Sequence, residues 1–158
     1  MHAAASEGHT QILSLLLDHG VDIECRDSLG NTALHLTSQS AKLEAGQFLV
    51  DRGADIDATN QYNNTPLMYA TNRGYIEYAR MLLERKAAID VPGYLGMTPL
   101  HWAVNARKPQ AVRLLHKYGV NINIPDKSGK TPSQLAALNG YQEIVELLSA
   151  YGAEPVKK

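Results

Sequence analysis

The sequence predicts an all-α solenoid: about five stacked helix pairs joined by short β-hairpin fingers, in a single domain spanning residues 1–158. Three observations carry that prediction. Thr32, Thr65, Thr98 and Thr131 stand 33 residues apart, and Leu16, Leu49, Leu82, Leu115 and Leu148 repeat at the same spacing without insertion or deletion. A fixed period of this size marks a stack of supersecondary units. Within each period the threonine opens an apolar stretch of helical spacing, and a second such stretch ends near a recurrent glycine at 20, 53, 119 and 152.

Residues 97–129 show how one period builds its elements. Thr98 is a good N-cap, and Pro99 suits the first helical position, where a missing N–H costs nothing. Leu100, Ala103 and Val104 then fall at i, i+3 and i+4, giving the first helix one apolar face. A second helix follows, with Pro109 near its start, Ala111, Val112, Leu114 and Leu115 inside it, and Gly119 as its stop. From Val120 the pattern alternates and then turns over Asp126 to Gly129, as an extended hairpin does.

The segments TALHL (32–36), TPLMYA (65–70) and TPLHWA (98–103), with the tails LVDRGADID (49–57) and LLHKYGVNIN (114–123), resemble ankyrin repeats, and the resemblance covers essentially the whole chain. It implies a helix pair plus a perpendicular β-hairpin per unit. Stacked units then form a curved solenoid whose hairpins and first helices line a concave, protein-binding face. The units run 1–30, 31–63, 64–96, 97–129 and 130–158. Met1-His2-Ala3-Ala4 aligns with Leu34-His35-Leu36-Thr37, so the first unit is partial and lacks the threonine cap; the alignment favours a piece of a longer chain over a native start. The last unit reads as a cap: Ser133 and Gln134 replace the Leu-His of the motif, and the chain is expected to leave the stack beyond Ala153. Terminal units of such stacks need polar outer surfaces.

Several function classes find no support. No run approaches 18 apolar residues and no secretory leader opens the sequence, so no membrane role is expected. Cys25 is the only cysteine, which rules out an internal disulfide and a multi-cysteine metal site and fits an intracellular, reducing compartment. No hydrolase triad, H-E-x-x-H or phosphate-binding glycine loop is present. Catalytic residues, metal, cofactor and small-molecule substrate are therefore not expected. His2, His35 and His101 share one register, and the resemblance makes them structural, bonded to the neighbouring threonine and turn backbone. Met68 and Gln134 occupy that register elsewhere and are expected to lose the bond. His9, His19 and His116 read as solvated.

Some positions depart from the pattern. Ala41 and Arg107 replace the glycines at 8, 74 and 140 and should cost about 1 kcal/mol each if the left-handed turn is kept. Lys86 replaces a helix-stop glycine. Gly46, inside a helix, should weaken the second repeat by about as much, making that repeat the soft point of the stack.

Function is expected at positions the scaffold does not dictate. The residue after the motif histidine reads Ala3, Leu36, Tyr69, Trp102 and Leu135, and the hairpin tips read Ser28-Leu29, Gln61-Tyr62, Tyr94-Leu95 and Lys127-Ser128. Tyr62, Tyr69, Tyr94, Leu95, Met97 and Trp102 are thus expected on the concave side of repeats three and four, flanked by Arg73, Arg107, Lys108, Lys127 and Lys130. Aromatic residues bury much area with few torsions and dominate interface energetics. Tyr69 and Trp102 can equally pack on each other as inter-repeat filler. Residues 1–96 hold seven Lys/Arg against twelve Asp/Glu, and residues 97–158 hold eight against four. The expected partner is a protein with an apolar anchor flanked by acidic groups; four net positive charges without a binding motif disfavour nucleic acid. The resemblance leaves open a regulator that blocks an enzyme or transcription factor and an adaptor domain of a larger protein. It also makes Asn123 a candidate for asparaginyl hydroxylation.

Overall fold

The computed structural model describes residues 1–154. Ten α-helices alternate as inner and outer members of five pairs: α1 (His2–Glu7) with α2 (Thr10–Asp18), α3 (Ala33–Gln39) with α4 (Leu43–Asp51), α5 (Pro66–Arg73) with α6 (Ile76–Glu84), α7 (Pro99–Asn105) with α8 (Pro109–Lys117), and α9 (Pro132–Leu138) with α10 (Gln142–Ala150). Inner helices stack on inner helices, outer on outer. The expected departure of the chain beyond Ala153 concerns mainly residues 155–158, outside the described residues.

The period becomes a core because the same register is buried in successive units. Leu34, Leu67 and Leu100 of the inner helices and Leu49, Leu82, Leu115 and Leu148 of the outer helices are at most 1% exposed. Each such leucine stabilises the fold by about 1.5–3 kcal/mol. His35 and His101 link cap to neighbour. Nδ1 of His35 accepts the Thr32 N–H at 3.1 Å, so Nε2 carries the proton and donates to Asn64 O at 2.9 Å. His101 repeats this with Thr98 N–H (3.2 Å) and Lys130 O (3.1 Å). Burial pushes both imidazoles below their usual pKa, so they are neutral connectors. His2, with no threonine ahead of it, bonds Cys25 O instead at 3.0 Å.

Two replacements behave differently from each other. Gln134 keeps the capping bond, contrary to expectation: its Oε1 accepts the Thr131 N–H at 3.0 Å, because a side-chain amide oxygen reaches the same point as Nδ1. Met68 offers only sulfur to Thr65 N–H (3.4 Å), and Thr65 Oγ1 is left without a hydrogen bond.

The fingers are turns, not β-hairpins; among the described residues there are no strands. Each is too short for a ladder and closes within five residues on two backbone bonds: Asp27 N to Asn31 O, Asn60 N to Asn64 O, Gly93 N to Met97 O and Asp126 N to Lys130 O (2.9–3.1 Å), each with a return bond from Gly30, Asn63, Gly96 or Gly129 N to the carbonyl of the same first residue (2.9–3.0 Å). Adjacent units are also clipped at their loops. Glu24, Asp57, Asp90 and Asn123, 33 residues apart, each accept a backbone N–H 31 residues on, from Asp55, Ala88, Asn121 and Glu154. On the outer edge Arg52 pairs with Asp18 and Arg85 with Asp51, both at 2.7 Å.

The left-handed turns are kept at Ala41 (φ 54°), Arg107 (φ 53°) and Lys86 (φ 70°). Gly46 has a different role from the one expected. A Cβ there would overlap the Tyr78 hydroxyl and ring, and that hydroxyl bonds Thr37 Oγ1 at 2.7 Å. The glycine opens the slot by which a tyrosine of the third repeat locks onto the second.

Candidate concave interface

The finger tips form an apolar row. Leu29, Tyr62 and Leu95 share one register and, with Tyr94, are 47–53% exposed. The Tyr62 and Tyr94 rings meet edge to face, centroids 5.9 Å apart, so neighbouring fingers present one continuous aromatic surface. Below the tips a ladder climbs the inner helices: His35 to Tyr69 at 6.1 Å and Tyr69 to Trp102 at 6.0 Å. Tyr69 and Trp102 are half-buried; they fill space between repeats and expose an edge at the same time. Tyr69 is fixed by its hydroxyl, which accepts from Asn60 Nδ2 at 2.9 Å. Trp102 Nε1–H finds no acceptor among the described residues.

The third finger is built unlike the others. In the first, second and fourth, an Asx side chain caps the turn: Asp27 Oδ1 accepts from Leu29 N and Asn31 N, Asn60 Oδ1 from Tyr62 N and Asn64 N, and Asp126 Oδ1 from Ser128 N and Lys130 N. Position 93 is glycine because a Cβ there would run into Met68 Sδ and Asn64 Oδ1. Met68, in the motif-histidine register, and the missing Asx cap thus meet at one point of the structure. Asn64 Oδ1 of the preceding finger takes over and accepts the Tyr94 N–H at 3.0 Å. The tip tightens into a 3-10 turn over Tyr94–Gly96 with Leu95 at φ 55°, a conformation that costs a non-glycine residue about 1–2 kcal/mol. Strain of this kind collects at functional sites.

Tyr62, Tyr69, Tyr94, Leu95, Met97 and Trp102 therefore gather around the second and third fingers and the two inner helices beneath them. Met97 is half-buried at the base of the third finger. Lys127 and Lys130 flank the patch on the fourth finger, both exposed; the Lys127 N–H donates to Leu95 O at 2.9 Å, tying the two tips together. Arg73 and Arg107 stand apart from the tips. Arg73 ends α5, about 12 Å from its cap at 1.5 Å per residue, and Arg107 follows α7 with its guanidinium 5.6 Å from the Tyr141 ring centroid. Lys108 lays its stem over Gly74. Asn123 spends its Oδ1 on the Glu154 clip (3.1 Å).

Two further exposed leucines stand outside the patch drawn from the sequence, which named Leu29 as a tip residue without including it and did not name Leu138. Leu29 aligns with Tyr62 and Leu95 at a tip, and Leu138, 67% exposed, lies one turn beyond Leu135 on the same face of α9. The register of Leu29 was visible in the sequence; Leu138 had no such signal, because its counterparts at 39, 72 and 105 are polar.

Among the described residues no helix is long and apolar enough to cross a membrane, and no group of three or more His, Cys, Asp or Glu could hold a metal ion. A 33-residue stretch, 21% of the chain, is 54% identical to transient receptor potential cation channel subfamily V member 5 of Mus musculus and of Rattus norvegicus, and to subfamily V member 6 of Rattus norvegicus. The matched stretch spans only about 5% of the length of these relatives. The family model for ankyrin repeats (three copies) matches residues 1–93 and 87–158, in effect the entire sequence, and the chain belongs to the ankyrin-repeat family.

Proposed function

We propose that the chain is a non-catalytic protein-binding module whose partner docks on the concave side, across the second to fourth fingers and the inner helices α5 and α7. The observation that carries this reading is the exposed row Tyr62, Tyr94 and Leu95 above the Tyr69–Trp102 ladder. A row of large apolar side chains held in water is unfavourable unless something covers it. Aromatic tips on short turns lose little entropy on binding. Lys127 and Lys130 beside the row fit a segment whose apolar anchor is flanked by acidic residues, with Arg73 and Arg107 able to meet charges farther along. Such charges set encounter rate and partner choice more than affinity. An intracellular setting suits the single cysteine. Either a regulator that occludes its partner or an adaptor within a larger protein fits this surface, whereas channel activity is a property named for the relatives alone.

The test is capture from a native extract, comparing the unaltered chain with Tyr62→Ser/Tyr94→Ser/Leu95→Ser. The tips are exposed, so the variant keeps its circular dichroism spectrum. A stoichiometric partner retained by the unaltered chain and lost by the variant supports the site; a folded variant that keeps every partner removes it. Trp102→Ala adds the ladder to the test at the expense of some stability.

A further inference from the structure

The outer helix of the fourth repeat departs from the rest of the stack in charge. Helices α2, α4, α6 and α10 each carry at least one carboxylate, whereas α8 carries none and presents Arg113, His116 and Lys117. The repeat register shows this position by position. The counterparts of Lys117 in the three preceding units are Asp18, Asp51 and Glu84, and those of Gln110 include Glu44, Glu77 and Glu143. The acids serve the scaffold: Asp18 and Asp51 pair with Arg52 and Arg85 of the unit that follows, and Glu84 accepts the Tyr118 hydroxyl at 3.4 Å. At 117 the sign reverses and the stack gains no partner from it. Arg113 and Lys117 are exposed and form no ion pair among the described residues, and like charges one turn apart weaken a helix. A cation in a last turn suits the helix dipole, but α2, α4 and α6 end on acids there, so the fold does not demand one.

The reversal coincides with a groove. Between α6 and α8 a shallow depression of about 300 Å³ is floored by Ile76 and Leu114 and rimmed by Arg80, Gln110, Arg113 and Lys117. No carboxylate lines it, whereas the depressions beside α4 include Glu7 and Glu44 on one side and Glu77 on the other. Apolar floor and cationic rim thus occur together at this one junction of the outer helices.

We propose that the α6–α8 groove is a second protein-docking surface, separate from the concave one, and that its occupant is an acidic segment of a partner protein. An apolar side chain of that segment sits on Ile76 and Leu114, and aspartate or glutamate on either side of it meets the rim. Arg113 offers a carboxylate a two-pronged donor and Lys117 a point charge. A ligand recognised by charge alone would leave the floor unused. The groove lies on the outer helices and the concave site on the fingers and inner helices, so one chain can hold two partners at once.

The test uses the whole chain as bait for random dodecapeptides displayed on phage. Selections run in parallel on the unaltered chain, on Arg113→Glu/Lys117→Glu and on Tyr62→Ser/Tyr94→Ser/Leu95→Ser. The groove substitutions are exposed, and glutamate gives position 117 the sign its counterparts carry, so this variant is expected to keep its circular dichroism spectrum; Arg113→Gln/Lys117→Gln replaces it if it does not. The expected result is a class of peptides with an apolar residue between acids that the tip variant keeps and the groove variant loses. As synthetic peptides they should bind the groove variant at least about tenfold more weakly, and replacing their apolar residue by serine should weaken binding to the unaltered chain as well. Recovery of no peptide that depends on Arg113 and Lys117 overturns the proposal, as does binding that the serine replacement leaves unchanged. Vesicles of phosphatidylserine and phosphatidylcholine are the last arm: adhesion that needs Arg113 and Lys117 when no peptide does assigns the face to a membrane and overturns it too.

Discussion

Replacing Gly46 by alanine is the most informative single change in the scaffold, because helix propensity and packing predict opposite signs. In a helix interior the substitution stabilises by about 1 kcal/mol. In this fold the new Cβ would lie 2.6 Å from Cζ and 2.8 Å from Cε2 of Tyr78, a side chain that is 1% exposed and tied to Thr37 by a 2.7 Å bond. Overpacking of this kind costs about 1–3 kcal/mol, and pulling the hydroxyl off Thr37 costs about another 1 kcal/mol. Gly46→Ala is therefore expected to destabilise by about 1–3 kcal/mol. Tyr78→Ala alone should cost about 3–5 kcal/mol by leaving a cavity. In the double variant the clash is gone and only the propensity gain remains, so Gly46→Ala becomes stabilising there. The pair then resembles Ala79 and Ala111, the register counterparts one repeat later, both fully buried. The coupling energy from urea denaturation of the four proteins should be about 2 kcal/mol or more. Additivity within about 0.5 kcal/mol, or a stabilising Gly46→Ala in the unaltered chain, refutes the slot account.

Other perturbations follow from the same structure. Burial lowers the pKa of His35 and His101, so the unfolded chain binds more protons below its ordinary histidine pKa. The stabilisation is complete above about pH 6.5 and is lost as pH falls, at up to about 1.4 kcal/mol per pH unit for each ring. His35→Gln/His101→Gln, which keeps the capping acceptor as Gln134 does, should flatten that slope in denaturation curves taken between pH 7 and 5. Leu95→Gly should stabilise the chain by about 1 kcal/mol by relieving its left-handed conformation, while weakening partner capture; a variant that gains stability without losing partner would dissociate the tip from function. Asp51→Asn removes an exposed ion pair with Arg85 and should shift stability by at most about 1 kcal/mol. Hydrogen exchange should be slowest in the third and fourth repeats, which are packed on both sides.

The stack was legible in the sequence because its determinants are periodic. Thr-Pro caps, the buried leucine series and the glycine turns each recur at 33 residues, and the helices begin in that register. What escaped were matters of contact between units. Gly46 looked like a defect because its partner, Tyr78, is 32 positions away and nothing local links them. Gln134 looked like a loss because residue type was read without reach. Met68 was read as a lost bond alone; its contact with the space beside Gly93, 25 positions away, had no local signal. Strands were expected in the fingers from alternation and from the resemblance, but each finger closes on itself within five residues and leaves no ladder to form. For the concave face, the tip and inner-helix residues could be located by register, while the separation of Arg73 and Arg107 from the tips required helix lengths and the Tyr141 contact.

The central claim, that a partner protein is held on the concave side, is tested most directly by site-specific photocrosslinking. A photoreactive residue is placed at Tyr94 on the third finger or at Gln110, which is exposed on the outer helix α8, and each protein is irradiated in native extract. Crosslinking of one partner from position 94, with none of that partner from 110, is the predicted result. The same partner captured from 110 and absent at 94 would contradict it.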